Sequence, residues 1–206
     1  MYRAGAHWRI SFIWKRAMRF FPDRRGVAAV EFALIVPLLF IMYFVTMEAS
    51  QGFETSKKVG RISAMVGDLV AQQTSVVKAD VTAIMQIGNS TIRPYNRSVP
   101  DVIVTAINIS SDATPKATVA WSWKVINGQY SIDAIKDSPT IVPTTLNIGG
   151  TFLIRVETIL GYKPIVTWSA DDEKRLGLTS AFDSIKMDET LYFSPRRGLM
   201  IPCSDC

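Results

Sequence analysis

The 206-residue chain has one histidine, His7, and two cysteines, Cys203 and Cys206. Because His7 lies in the basic N-terminal stretch, the body of the chain has no histidine for a nucleophilic triad or a zinc ligand set. Two thiols are too few for a closed zinc site, and no βαβ pattern surrounds their C-x-x-C spacing to suggest a thioredoxin-like centre. The sequence also lacks a glycine-rich phosphate loop and any low-complexity tract. Asp171, Asp172 and Glu173 are the one dense acidic run, and beside Lys174 and Arg175 they read as a solvated turn. Nothing here asks for a metal or a cofactor, and the chain is not read as an enzyme.

Glycine (12) and proline (10) are scarce, whereas 48% of residues are hydrophobic and 20% charged, a balance that excludes collagen-like and disordered classes and implies a folded body. The formal charge of +5 is not spread over that body. Arg3, Arg9, Lys15, Arg16, Arg19, Arg24 and Arg25 face only Asp23 within residues 1–26, and the remaining residues carry 16 bases against 17 acids. A nucleic-acid partner needs its cations on the folded domain, so that class is excluded.

The bases precede an apolar run, Val27 to Met47, interrupted by one charge at Glu31. Its 21 residues would extend roughly 30 Å as a helix, the thickness of a bilayer core. A membrane-spanning helix at 27–47 is expected, with lipid as its surroundings. The basic flank places the N-terminus in the cytoplasm and residues 48–206 outside it, with Glu48 and Glu54 soon after the span. A cleaved secretory signal fits less well: the run is long, contains a carboxylate and Pro37, and is followed by no A-x-A-like site. The 1–26 segment carries Trp8, Phe12, Trp14 and Phe20 among its bases and reads either as a basic tail or as a surface-lying amphipathic helix.

A carboxylate in an apolar span costs about 2.5–3.5 kcal/mol on insertion scales and calls for a partner. No Lys or Arg lies between Val27 and Glu54. Scission between Gly26 and Val27 would create an α-amino group four residues from Glu31, roughly 6 Å along the helix, and would leave Glu31 in or next to the first turn, where the helix dipole favours it.

Arg24-Arg25-Gly26-Val27-Ala28-Ala29-Val30-Glu31-Phe32-Ala33-Leu34, followed by Pro37-Leu38-Leu39, resembles the N-terminal signature of TadE-like proteins, minor pilins or pseudopilins of the tight-adherence, Flp-type pilus system. The likeness covers about residues 22–48, with weaker echoes at Arg155-Val156-Glu157, Tyr162-Lys163-Pro164 and Pro195-Arg196-Arg197. The resemblance implies cleavage after Gly26 by a prepilin peptidase, with Glu31 as fifth residue of the mature chain. It also implies partners among other pilins, minor pilins and the inner-membrane assembly platform. The major Flp pilin differs in being very short and in carrying Glu-Tyr where this chain has Glu31-Phe32.

Residues 48–90 read as an extracytoplasmic helical region. Val59, Ile62, Val66, Leu69, Val70 and Gln73 recur at helical spacing, so an amphipathic helix continues out of the span. With Pro37, the row Gly52, Ser56, Gly60 and Ala64 is the candidate helix-packing surface; the small residues either admit a close neighbour or merely loosen the helix. A second helix is expected from Val76 to Ile87, ended by Gly88, Asn89 and Ser90. Residues 100–206 read as a β-rich domain. Strands are expected at Val102–Ile109, through Val119, Trp121, Trp123 and Val125 before an Asn127-Gly128 turn, at Thr151–Leu160 and at Thr190–Ser194, with a short one at Lys163–Trp168. Asp133–Asn147 reads as a loop and Ala170–Leu178 as a charged loop or short helix. Trp121 and Trp123, on one side of a strand, read as core. Outside the cytoplasm Cys203 and Cys206 form either an intrachain disulfide of minor stabilising effect or a link to another subunit. The expected fold class is α+β, an N-terminal transmembrane helix running into an amphipathic helix packed on a small antiparallel sheet. The expected function is that of a pilus-assembly minor pilin, and the competing reading is an uncleaved signal-anchored periplasmic binding domain.

Overall fold

The computed structural model describes residues 26–164 and 185–206. By its packing the chain divides into two units, residues 1–47 and 48–206. The first helix, α1, covers Val27–Ala71 and contributes to both. Within the first unit its side chains are apolar on every side and solvent-facing, among them Phe32, Leu34, Leu38, Ile41 and Val45. A helix apolar all round cannot be a soluble surface helix. This stretch is long and apolar enough to cross a bilayer, and none of its most apolar window is buried in the fold. It is the one such helix among the described residues, and the chain is accordingly read as membrane-anchored. Phe40 stacks on Phe44 at 6.4 Å, and Thr46 returns its hydroxyl to the Met42 carbonyl at 2.8 Å.

The second unit is α+β. It contains the rest of α1, α2 (Lys78–Met85), α3 (Ile87–Thr91) and five strands: β1 (Asp101–Ile109), β2 (Ala117–Ile126), β3 (Gln129–Ser131), β4 (Phe152–Tyr162) and β5 (Ile185–Phe193). The strands form one antiparallel sheet in the order β3-β2-β1-β4-β5. β1 and β2 are dense in β-branched and aromatic residues, which suit a pleated, half-buried surface. The tight turn that leads from β2 to β3 takes Asn127 at φ 50° and Gly128 at φ 77°, the pair of positive values a two-residue hairpin turn needs.

Val59, Ile62, Val66 and Val70 of α1 are buried in one core with Val102, Val104 and Ala106 of β1, Trp121 and Val125 of β2, and Ile154, Val156 and Leu160 of β4. Full burial of such side chains contributes about 1.5–3 kcal/mol each. Ser63 crosses this apolar contact and its hydroxyl donates to that of Thr158 at 2.7 Å, so these two buried hydroxyls satisfy each other. Gly67 is required by shape, because a Cβ there would lie 2.0 Å from the Phe193 ring. A smaller cluster of Ile107, Ile109, Leu153 and Val142 draws the 132–148 segment onto the sheet.

Several expectations are corrected. The second helix begins at Lys78 rather than Val76, because Val76 is taken up by a bridge to Cys203, with Val76 N–H bonded to Pro202 O at 3.0 Å. Gly88, Asn89 and Ser90 do not end helical structure but form α3. Gly88 serves close packing there, since a Cβ would meet Ile62 at 3.3 Å and Val102 at 3.7 Å. The alternation of β2 breaks at a bulge: Ala106 faces Trp121, but Ile107 faces Val119. The loop at Asp133–Asn147 contains a 3-10 turn, Thr144–Leu146. The final strand starts at Ile185, earlier than its apolar residues indicate. Lys163 and Pro164 are outside any strand, and the rest of Lys163–Trp168, Ala170–Leu178 with its acidic run, and His7 with most of the 1–26 segment lie outside the described residues.

Candidate functional site

Gly26 immediately precedes α1 and is exposed. An added Cβ would meet nothing within 4 Å, and its φ is not in the positive range, so the fold of the described residues makes no demand for glycine at this position. Val27 is the first residue of α1 and is half exposed. Glu31 stands one turn further on, also exposed, and forms no ion pair among the described residues. Pro37 lies within α1 and likewise faces outward. Gly26, Glu31 and Pro37 are thus all exposed, on a stretch whose large apolar side chains, among the described residues, are likewise exposed.

The small-residue row has two environments. Gly52 lies 3.9 Å, measured from an added Cβ, from the Tyr162 ring, and Gly60 lies 3.8 Å from Glu189. Ser56 is exposed and Ala64 half-buried. The glycines of the row thus meet the chain's own β4 and β5, and the closest approach, Gly67 to Phe193, falls outside the row.

At the start of the second unit, residues far apart in sequence converge on Glu48. The Tyr162 hydroxyl donates to its carboxylate, and the Arg97 guanidinium approaches it at 3.9 Å. Arg97 packs over Tyr95 and Tyr162, 4.7 and 5.4 Å from their centroids, while its Nε donates to the Lys163 carbonyl at 2.5 Å. Tyr95 in turn stacks on Tyr162 and accepts from the Lys163 N–H at 2.8 Å. Sequence reasoning did not find this group, since its members are distant along the chain, although the Tyr162-Lys163-Pro164 echo falls on it. The other echoes also make structural contacts. Arg155 bonds Glu157 at 2.9 Å and reaches Thr140, and Arg196 pairs with Asp68 while its N–H bonds Ala71 O at 2.9 Å.

Burial first, and then the hydrogen bond to Glu48, push the Tyr162 hydroxyl from 10.0 up to about 12. The folded state thus favours the protonated phenol. The resulting stability is fully present below the ordinary tyrosine range and is lost as pH rises from about 10 to about 12. Urea titrations of wild type and Tyr162→Phe are therefore expected to converge over that window, the wild type losing roughly 1–3 kcal/mol relative to the variant. Parallel curves would contradict this.

Trp121 is buried and donates its indole N–H to Ile201 O at 2.7 Å, and Trp123 bonds Thr82 Oγ1 at 2.9 Å, so both belong to the packed body. Cys203 and Cys206 are joined, with Cα atoms 5.6 Å apart. Asp205 lies within this ring and accepts the Lys78 N–H at 2.8 Å, capping α2. The ligand atoms of Cys203, Asp205 and Cys206 lie within 4.8 Å of one another, but bonded sulfurs offer no thiolate to a metal.

No curated protein and no solved structure matches the chain. Residues 26–59, running from the glycine of the junction through Glu31 into the second unit, match the family model described as TadE-like protein, and this stretch of the chain is TadE-like.

Proposed function

We propose that this protein is a minor pilin or pseudopilin of a Tad, Flp-type adhesion pilus, non-enzymatic, cut after Gly26 by a prepilin peptidase and retained in the inner membrane or passed into the fibre. The observation that carries the reading is the pairing of a TadE-like stretch with two residues the chain's own fold does not use. Gly26 meets no steric demand, and Glu31 has no ionic partner among the described residues. Both make sense when an outside protein reads them. A peptidase needs the unhindered backbone at Gly26, and a neighbouring subunit's Val27 amine gives Glu31 its counter-charge. The apolar outward surface of residues 27–47 then serves for assembly with other pilins and the membrane platform. The basic leader orients the chain with residues 48–206 on the periplasmic side, where a Cys203–Cys206 disulfide is stable.

Intact-mass and N-terminal analysis of the protein from pilus-producing cells tests the proposal. The expected mature chain begins at Val27. Replacing Gly26 by a bulky residue is expected to leave an inserted but uncut precursor, because insertion depends on the apolar run and its basic flank. An intact Met1 or Tyr2 terminus in those cells would refute processing and favour an uncleaved, anchored binding domain.

A further inference from the structure

Cys203 and Cys206 enclose Asp205, and all three belong to the second unit. The backbone of this ring is held in place without help from the sulfur–sulfur bond. The Val76 N–H donates to Pro202 O at 3.0 Å and the Ser204 N–H donates to Val76 O at 3.3 Å, so the chain on both sides of Cys203 is pinned just ahead of α2. Ile201, immediately upstream, is fully buried, and its carbonyl accepts from Trp121. Asp205 is pinned separately, by the Lys78 N–H at 2.8 Å. Opening the disulfide therefore leaves two thiols side by side, on Cα atoms now 5.6 Å apart. Both cysteines are half-buried against the main core, whereas Asp205 is exposed, so the ring is backed by apolar residues and open to solvent on one side.

These groups suit one class of ligand. C-x-x-C is the spacing of a zinc-chelating pair. Two thiolates on a tetrahedral zinc ion lie roughly 3.8 Å from each other, and here the ligand atoms of Cys203, Asp205 and Cys206 all lie within 4.8 Å of one another. Cys203 Sγ and Asp205 Oδ1 are 3.4 Å apart, close enough to touch a single ion. The Lys78 N–H occupies one lone pair of the Asp205 carboxylate and leaves the others free, while fixing its direction as an outer partner of a metal ligand does. The ring also faces the amino end of α2, where the helix dipole favours a negatively charged ligand set. Two sulfurs and one oxygen leave a fourth tetrahedral position unfilled, which is the open type of site and not the closed one that two thiols are too few to build.

We propose that the reduced chain binds one thiophilic divalent ion of the zinc class through Cys203 Sγ, Cys206 Sγ and a carboxylate oxygen of Asp205, with water in the fourth position. The disulfide and the ion compete for the same two sulfurs, so the site exists only after reduction. In that step a dithiol reductant passes two electrons and two protons to the Cys203–Cys206 bond and becomes a disulfide itself. The S–S bond breaks, two S–H bonds form, and each thiol gives its proton to water as its sulfur binds the metal. The inference concerns the second unit alone and is independent of membrane insertion, cleavage and pilus assembly.

The test uses the full-length protein in detergent, reduced with a phosphine, freed of it under argon, and titrated with Co(II) as the coloured substitute for Zn(II). Reduced wild type is expected to take up one Co(II) per chain with a thiolate-to-cobalt charge-transfer band in the near ultraviolet, and to lose the band when an equivalent of Zn(II) is added. The oxidised protein and Cys203→Ser/Cys206→Ser are expected to show no band. Asp205→Asn is expected to keep the band but to bind roughly tenfold more weakly. The fluorescence of Trp121 and Trp123, which touch Ile201 and α2, is expected to stay unchanged on reduction, since the backbone pins do not depend on the disulfide. Absence of the band from reduced wild type, whatever its fluorescence, would overturn the proposal. Equal affinity in wild type and Asp205→Asn would overturn it in favour of a plain dithiol chelate, and a band in the oxidised protein would overturn it in favour of other ligands.

Discussion

Glu31→Ala is expected to reach the membrane at wild-type levels and to be lost from crosslinked complexes with other pilins. Insertion should if anything improve, because a charge costing about 2.5–3.5 kcal/mol is removed from the span. Cleavage should persist, since the scissile bond lies four residues away. A charged hydrogen-bonded pair contributes about 1.5–3 kcal/mol, so the subunit contact is expected to weaken roughly ten- to hundredfold. Glu31→Gln retains shape and some hydrogen bonding without the charge, and an intermediate defect is expected. The measurement is recovery of pilin partners after crosslinking, normalised to membrane level. Wild-type pilus formation by Glu31→Ala would remove the carboxylate from the mechanism and make the anchored binding domain the better account.

The second large effect concerns the segment after Met200. Stopping the chain there is expected to cost the folded domain roughly 3–6 kcal/mol, a large part of the 5–15 kcal/mol typical of a domain. Ile201 is fully buried, and losing it alone costs about 2–5 kcal/mol. The Trp121 indole N–H loses its acceptor, Ile201 O, at about 1–3 kcal/mol if no water replaces it. Val76 loses its bridge, and α2 loses the Asp205 cap. Cys203→Ser/Cys206→Ser separates the disulfide from the segment. The ring is small and constrains little of the unfolded chain, so only about 1 kcal/mol, mainly the cap, is at stake. Urea unfolding followed by tryptophan fluorescence distinguishes the three proteins. A truncated chain as stable as wild type would show that these contacts are incidental.

The parts of this fold that declare themselves in sequence are those whose signal is local. Val102–Ile109 is dense in β-branched residues and makes up all but the first residue of β1, and Asn127-Gly128, a pair that tolerates positive φ at both positions, makes the turn. The stripe Val59, Ile62, Val66 and Val70 is the buried face of α1 because 3.6-residue periodicity needs no knowledge of what it packs on. β5 extends further than its apolar residues indicate because Lys186, Asp188 and Glu189 belong to an exposed strand whose length is set by hydrogen bonding to β4 rather than by burial. Gly88 looks like a helix stop in sequence, but its reason is tertiary, the space occupied by Ile62, Pro100 and Val102. The TadE-like stretch that begins at Gly26 could be read because its signature is a continuous run of residues. The group around Glu48 could not, since its members Glu48, Tyr95, Arg97 and Tyr162 are brought together only by the finished sheet.

The sheet order also has a consequence in time. β1 is the first strand in the chain and the middle one in the sheet. Its β2 edge is filled through a short connection, but its other edge waits for β4, which starts only at Phe152, roughly forty residues after β1 ends at Ile109. A chain delivered from its N-terminal end therefore holds out a row of unpaired amides and carbonyls, flanked by Val102, Val104 and Ala106, until that partner arrives. Closing such a distant pairing is slow compared with hairpin formation. During that interval the nascent domain is open to strand addition by any extended segment nearby, including β4 of a second copy.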